Sequence, residues 1–264
     1  MLSIIIVGYK PEKKKLNKVL KIIGKNIKVI FINNSENYNL KNIKFSKNTV
    51  VLNSKNNGNG AGINLGIKNC KTKYALYLDI DVLFKKNFIK NFINFAKKNK
   101  DFAILVPNHG NLNSKKKKIE KYEGEASIML FNLSKLEKIG FFDEKYFLYF
   151  EEQDLFFKCK KNNLKTFFIP SINIKHLRAS SVSQNIENIP YLRTWHYMWS
   201  MFYFYKKNFS YITAIKKTIF LLIKDIIMLF IFLILLNIKN SKYRFYRIYG
   251  AIASMIGLKS FLRP

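Results

Sequence analysis

Two aspartates, Asp79 and Asp81, stand two residues apart where the apolar run KYALYL ends. On a strand such residues share a face, so both carboxylates can reach one pocket at the strand's exit. Hard carboxylate oxygens suit Mg2+ or Mn2+, cations that commonly bridge phosphates. A denser group lies further on. Asp143, Glu144, Glu151, Glu152 and Asp154 fall in one twelve-residue window of a chain with only 16 Asp and Glu against 47 Lys and Arg. Set among the aromatics of YFLYFEEQDLFFK, these acids are either a charged helix face paired with Lys158 and Lys160 or a site. The stretch NNGNGAGINLGI, Asn56 to Ile67, enters a helix through glycines, and backbone N–H groups at a helix N-terminus favour phosphate. Its glycines fit neither the dinucleotide fingerprint nor the P-loop spacing, and a tightly packed turn is the alternative reading. His176 closes the strand-like KTFFIPSINIKH. Imidazole is a common ligand for such cations, although a lone histidine is more often structural.

These groups need a scaffold that brings strand ends together. LSIIIVGY reads as a buried β-branched strand, IKVIFINNS and NTVVLNS as the second and third, and KYALYLDIDVLF as the fourth. KKKLNKVLKIIGK, GAGINLGIKNC and NFIKNFINFAKK carry helical spacing between them. Alternating strand and helix predicts a mainly parallel α/β sheet flanked by helices, with ligands at the carboxyl ends of the strands. The run NSKKKKIEKY predicts an exposed loop or hairpin.

After about residue 185 the character changes, which predicts a domain over 1–185 and a separate helical region over 186–264. YLRTWHYMWSMFYFYKKN is aromatic and basic, and TIFLLIKDIIMLFIFLILLN is strongly apolar. The longest unbroken apolar run, Ile226 to Leu236, is short of the ~20 residues of a simple span. Lys224 and Asp225 interrupt any longer one, and a charged pair is costly at a bilayer centre. An amphipathic or half-inserted interfacial helix with basic and aromatic anchors is the expectation. A helix buried on the catalytic domain or on a homodimer partner, and a single span, are the alternatives.

The chain of 264 residues has a formal net charge of +31 and a hydrophobic fraction of 48%, ample for a core. So basic a chain predicts an anionic partner or surface, although joint enrichment in Lys, Asn and Ile is also what an AT-rich genome produces. Cys70 and Cys159 form no CxxC pair, which suits a reducing compartment and argues against a zinc site. MLSIIIVGYK lacks the features of a signal peptide, so the body is expected in the cytoplasm.

Taken together these stretches resemble the family 2 glycosyltransferases with a GT-A, Rossmann-like fold, nearest the bacterial rhamnosyltransferase-like group. The resemblance runs from Ser3 to about Ser183. SIIIVGY, ending at Tyr9, matches the family's first strand, and INNS its DNxS turn, with Asn33 where Asp is usual. NNGNGAGINLGI matches NxGxxxGxNxGI, LDIDV the DxD, GFFDEKYFLYFEEQDLFFK the GxFDExFFxYxEDxDL segment, and HLRASS the HxxGxS. The resemblance implies a metal-dependent inverting transferase. Tyr9, Asn33, Asn57, Gly58, Gly62, Asn64 and Asp79 would bind the donor, and Asp81 and His176 would hold Mg2+ or Mn2+. Glu152 would be the base, a Glu where the family has Asp, with Glu151 and Asp154 beside it to orient the acceptor or hold local structure. Asn33 can accept from a pyrimidine N–H less strongly than an ionised Asp, so UDP- and dTDP-sugars both stay open.

The expected partners are a nucleoside-diphosphate sugar such as dTDP-rhamnose, a lipid-linked or surface-polysaccharide glycan acceptor, and an anionic membrane surface at the cytoplasmic face of the bacterial inner membrane. A nucleotidyltransferase would need a Gly- and Lys-rich loop near the first strand that is absent from the sequence. A basic nucleic-acid-binding protein fits the charge alone, but the acid cluster would repel a phosphate backbone, so no nucleic acid is expected. A non-catalytic scaffold leaves the retained acids and His176 without a purpose.

Overall fold

Strand β1 (Leu2–Gly8) sends Ile4 and Ile6 to one face and Ile5 to the other, all fully buried. A strand apolar on both faces must lie inside a sheet covered on both sides. In a computed structural model, which describes residues 2–35, 38–85, 87–110, 114–123, 127–177 and 188–264, that is its place. The further strands are β2 (Lys28–Asn33), β3 (Thr49–Asn53), β4 (Tyr74–Leu78), β5 (Val82–Leu83), β6 (Ile104–Asn108), β7 (Ile119–Glu120), β8 (Ile128–Asn132), β9 (Thr166–Asn173) and β10 (Lys175–His176). The helices are α1 (Lys13–Ile23), α2 (Asn59–Lys68), α3 (Phe88–Lys98), α4 (Leu133–Leu136), α5 (Glu151–Lys161), α6 (Ile189–Asn208), α7 (Tyr211–Ile234) and α8 (Ile238–Met255).

The chain divides into two compact units, Met1–Phe142 with Leu155–Gln184, and Asp143–Asp154 with Asn185–Pro264. In the first, the described strands form a sheet in the order β3-β2-β1-β4-β8-β6-β9-β7, with β5 and β10 as a separate antiparallel pair. Pairing is parallel from β3 through β2 and β1 to β4, and between β6 and β9. It is antiparallel where β8 joins β4 and β6, and at β7. One face packs Ile4, Ile6, Phe31 and Leu76 against Leu16 of α1 and Phe92 of α3. The other packs Ile5, Tyr77 and Met129 against Ile63 of α2 and Phe156 of α5. Each aliphatic side chain so enclosed contributes about 1.5–3 kcal/mol relative to exposure.

Helix α2 lies close on β1 because of its glycines. A Cβ on Gly66 would sit 2.5 Å from Ile5 Cγ2, and one on Gly62 would sit 2.8 Å from Val7 Cγ1. Gly62 and Gly66 are four apart, hence on one helix face. At these two positions the spacing encodes helix-on-strand contact. Gly58, at φ 101°, supplies the turn into the helix.

The second unit is built on three helices. Where the sequence puts a boundary near residue 185, the segment Asp143–Asp154 groups with these helices, because its two outer aspartates are bound there. Trp195 is fully buried in α6 against the Gly250 backbone of α8. Trp199 Nε1 donates to the Leu258 carbonyl at 3.0 Å. Asp225, the acid that breaks the apolar run of α7, turns inward. It accepts from Arg244 Nη1 and Arg247 Nε of α8, each at 2.6 Å. Among the described residues no helix is long and apolar enough to cross a membrane, which removes the single-span alternative.

Candidate active site

Strand β4 ends at Leu78, and the chain turns through Asp79–Ile80–Asp81 before β5. Two backbone bonds fix this turn: Asp79 N–H donates to Ser127 O and Leu177 N–H to Asp81 O, both at 2.9 Å. The second bond comes from the residue after β10, whose antiparallel pairing sets His176 opposite Val82. His176 and Asp81, 95 residues apart in sequence, thus stand with Nε2 3.0 Å from Oδ1. One ligand atom each from Asp79, Asp81 and His176 lie within 4.8 Å of one another. Two carboxylate oxygens and one imidazole nitrogen form a donor set suited to Mn2+ or Mg2+, so these residues fit the expected cation. Asp81 is buried and Asp79 half-buried, held by the Tyr77 hydroxyl, which also lies 3.1 Å from Asn59 Oδ1. The His109 ring stands edge-on to His176, centroids 6.3 Å apart. Residues Arg178–Ser181 of the HLRASS stretch lie outside the described residues.

The carboxyl ends of β2 and β3 open on a cleft of about 720 Å³ lined by Asn33, Ser35, Tyr38, Leu40, Asn53, Ser54 and Lys55. Asn33 Nδ2 donates to Asn53 Oδ1 at 2.9 Å, and Asn33 Oδ1 accepts from Ser35 N–H at 3.3 Å. The turn is therefore shaped by Asn33, which keeps further acceptor capacity on its oxygen. Tyr9 is half-buried in the loop after β1, and Asn57 is exposed just before α2. Asn34 Nδ2 donates to Gly58 O at 3.2 Å, tying the INNS turn to the Gly-rich stretch. The Asn64 amide donates to Phe142 O at 2.9 Å and accepts from Phe142 N–H at 3.1 Å. That pairing serves to hold the chain just before the acid cluster.

Within the second unit the acids divide by role. Asp154 is fully buried and accepts from Lys207 Nζ at 2.8 Å, Asn208 Nδ2 at 2.9 Å and Tyr146 OH at 3.4 Å. Asp143 accepts from the same Lys207 ammonium at 2.8 Å and from Tyr203 OH at 3.0 Å. Burial pushes the Asp143 carboxyl up, but Lys207, the Lys145 N–H and Tyr203 outweigh it and hold the group below the usual carboxylate range. Burial likewise pulls Lys207 down, and its two carboxylates carry it above the ordinary lysine value, so it stays charged. These bonds tie Asp154 to Lys207 and Asn208 at the end of α6. Lys158 Nζ donates to the Gly140 and Phe141 carbonyls.

Glu151 and Glu152 open α5, Glu151 buried and Glu152 half-buried. They follow two left-handed non-glycine residues, Tyr149 at φ 67° and Phe150 at φ 66°. Such conformations cost of order 1–3 kcal/mol each and persist where the surroundings over-determine them. Here Tyr149 packs on Tyr197, Phe150 on Tyr197 and Phe204, and Ser200 Oγ donates to Leu148 O at 2.8 Å. The acids sit where a helix dipole favours negative charge. Sequence reading missed Lys207, Tyr203 and Asn208, which no local pattern connects to the acids. It also missed Tyr77, which its i, i+2 relation to Asp79 could have revealed.

Comparison with known proteins decides the family. The model of glycosyl transferase family 2 matches residues 3–160, well over half of the chain. The chain belongs to glycosyl transferase family 2. An uncharacterized glycosyltransferase of Rickettsia prowazekii (strain Madrid E) is 29% identical over 185 residues, and the match spans 60% of this chain and 58% of that relative. Among solved structures, GalNAc-T7 with UDP, GalNAc and Mn2+ superposes with a TM-score of 0.58 at 13% identity, covering 72% of this chain and 45% of that one. The mannosyltransferase PcManGT of Pyrobaculum calidifontis, in complex with GDP-Man and Mn2+, gives 0.57 at 9% identity, covering 96% and 86%. TarS of S. aureus gives 0.52 at 18%, covering 66% and 36%. These likenesses show that the family 2 chain has the GT-A fold, a central sheet flanked by helices.

Proposed function

We propose that this family 2 chain transfers a hexose from a nucleoside-diphosphate sugar to a hydroxyl of a growing glycan, with inversion. The Asp79–Asp81–His176 cluster at the exit of β4 carries the reading. The 720 Å³ cleft lined by Asn33 and Tyr38 at the ends of β2 and β3 supports a nucleotide partner. GalNAc-T7 and PcManGT, solved with UDP and with GDP-Man, share the fold. Asn33 as acceptor for a pyrimidine N–H favours UDP- or dTDP-sugars, with dTDP-rhamnose the donor the motifs resemble most. Asp81 and His176 would hold Mg2+ or Mn2+, and Asp79 would face the ribose or an outer-shell water. When bound, the cation supplies positive charge to the leaving diphosphate.

Glu152 takes the proton of the acceptor hydroxyl. That oxygen forms the new bond to the anomeric carbon, and the bond from that carbon to the diphosphate breaks, with its electron pair leaving on the nucleotide. The acceptor class is a lipid-linked glycan extended at the cytoplasmic face of the inner membrane.

The test is thermal stabilisation by a panel of UDP- and dTDP-sugars with and without Mn2+, since a ligand of the native state raises stability by mass action. We expect Mn2+-dependent stabilisation by one nucleotide class in the native chain and none in Asp81→Ala. Equal stabilisation in EDTA and in Asp81→Ala would refute the cation site. Stabilisation by neither class would refute the donor assignment.

A further inference from the structure

Helix α7 has 24 residues, with one face buried and the opposite face exposed and apolar. Its buried face, Ala214, Thr218, Leu222 and Asp225, packs within its own unit. Its outer face is a stripe of Phe220, Ile223, Ile227, Phe230 and Ile234, exposed by 80, 47, 53, 61 and 81%. The spacing of three and four puts these residues in one line about 20 Å long. The line ends in a tip at the turn into α8, where Leu236 is 81% exposed. Exposed apolar surface of this extent marks an interaction site.

Charge decides among the candidate occupants. Residues 188–264 carry twelve Lys and Arg and a single acid, Asp225. That acid is 1% exposed and spent on Arg244 and Arg247, so residues 188–264 offer the stripe no carboxylate, while Lys216, Lys217 and Lys224 are exposed beside it. A second copy of the stripe has the right periodicity for a helix pair, yet it would bring only like charge and none of the opposite-charge flanks such pairs use. A spanning helix is excluded by length and apolarity among the described residues.

We propose that the outer stripe of α7 and its tip lie in the plane of a bilayer rich in anionic phospholipid, apolar side chains below the headgroups and lysines among them. Such helices sink about 5–10 Å, and their long lysine stems snorkel to the phosphates. The inward turn of Asp225 is what makes the face suitable, since it removes the one negative charge from the membrane side. The inference stands apart from the transfer reaction, because lipid binding is read without any substrate.

The experiment is flotation of the full chain with phosphatidylcholine vesicles, with and without about a third phosphatidylglycerol, a fraction high enough for headgroup charge to act over a Debye length. We expect flotation with the anionic vesicles, at least tenfold weaker with the neutral ones, reduced by high salt and extracted by alkaline carbonate. The double substitution Phe220→Glu with Phe230→Glu, both at exposed positions, is expected to abolish flotation. Its thermal unfolding should match the native chain. Flotation unchanged in that variant, or equal on both vesicles, overturns the proposal. Carbonate resistance would overturn the in-plane geometry. A dimer in sedimentation equilibrium that the same variant dissociates, without vesicle binding, would assign the face to a second copy instead. Should the double variant unfold, Lys216→Glu with Lys217→Glu tests the electrostatic half alone, and undiminished flotation there overturns it.

Discussion

Replacing Lys207 by Met removes one ammonium from two carboxylates. Asp154 then keeps Asn208 Nδ2 at 2.9 Å and Tyr146 OH at 3.4 Å, the latter at the edge of a hydrogen bond. Asp143 keeps Tyr203 OH and the Lys145 N–H, both at 3.0 Å. Breaking a buried ion pair by deleting one partner costs roughly 3–5 kcal/mol, because the remaining charge is left without compensation. Asp154 is 0% exposed and bears this in full, whereas Asp143 at 18% is partly relieved by water. The retained hydrogen bonds moderate the loss, which places the expected destabilisation near ~3 kcal/mol. The assay is built into the chain. Both of its tryptophans, Trp195 and Trp199, are buried in α6, so their fluorescence in urea reports the second unit. Adding Asp154→Asn to Lys207→Met should return part of the loss, with a coupling of about 1–3 kcal/mol. Asp143 is held below its unfolded value near ~3.9, so its share of stability is present above that pH and lost as the pH falls through the lower folded value. The deficit of Lys207→Met should therefore shrink below about pH 4. A Lys207→Met chain within about 0.5 kcal/mol of the native one, or strictly additive double-variant energies, would refute the reasoning.

Glu152→Gln should leave nucleotide and Mn2+ binding intact while sugar transfer falls about 10²–10⁴-fold, and Glu152→Asp should retain more; a fully active Gln variant removes Glu152 as the base. Gly66→Ala should destabilise the first unit by about 1–2 kcal/mol in urea, because its Cβ meets Ile5 Cγ2 at 2.5 Å and the overlap outweighs the helix propensity gained; an unchanged urea midpoint would show that the helix moves freely off β1. His196 is pushed by burial down to about 3 and stays neutral. Between that value and the ordinary ~6.5 the unfolded chain binds the extra proton, so stability is full above pH 6.5 and lost as the pH falls, by at most ~1.4 kcal/mol per pH unit. His196→Gln should flatten that dependence in the tryptophan signal, and an equally steep variant would place the acid lability elsewhere.

Much of the first unit was legible because its code is local. β1 to β4 and α1 to α3 follow from runs of apolar residues at period two or at helical spacing, cut by Gly and Asn. The pair Asp79 and Asp81 was legible as chemistry, but the strand stops at Leu78, so a turn and not a shared strand face brings the carboxylates together. His176 reaches Asp81 through the short pairing of β5 with β10, a contact across 95 positions that sequence spacing does not reveal. The glycines of the Gly-rich stretch read equally as phosphate loop or packing device. The space around them shows that Gly62 and Gly66 pack, while Gly58 turns the chain. The apolar run of α7 looked interrupted at Asp225 because hydropathy counts a charge without seeing its direction. The side chain points away from the outer stripe, into two arginines.

The acid cluster is the place where composition misleads most. Five acids in a window suggest one site with one purpose, yet their surroundings separate them. Asp143 and Asp154 share one lysine and brace the segment at both ends. Between these braces the chain passes through two left-handed aromatic residues whose rings are packed on α6, and only then starts α5 with Glu151 and Glu152. A strained turn relaxes unless both flanks are fixed, and here the flanks are ionic while the turn itself is held by aromatic packing. The consequence is a backbone at the start of α5 that is held from both sides. Proton removal from an alcohol requires a carboxylate that the alcohol can approach, since a general base acts only within hydrogen-bond reach of the proton it takes. The proposed base, Glu152, is half-buried at the start of α5 whereas Asp154 is fully buried, and it is this difference in access that Glu152→Gln and Asp154→Asn, measured side by side, would probe.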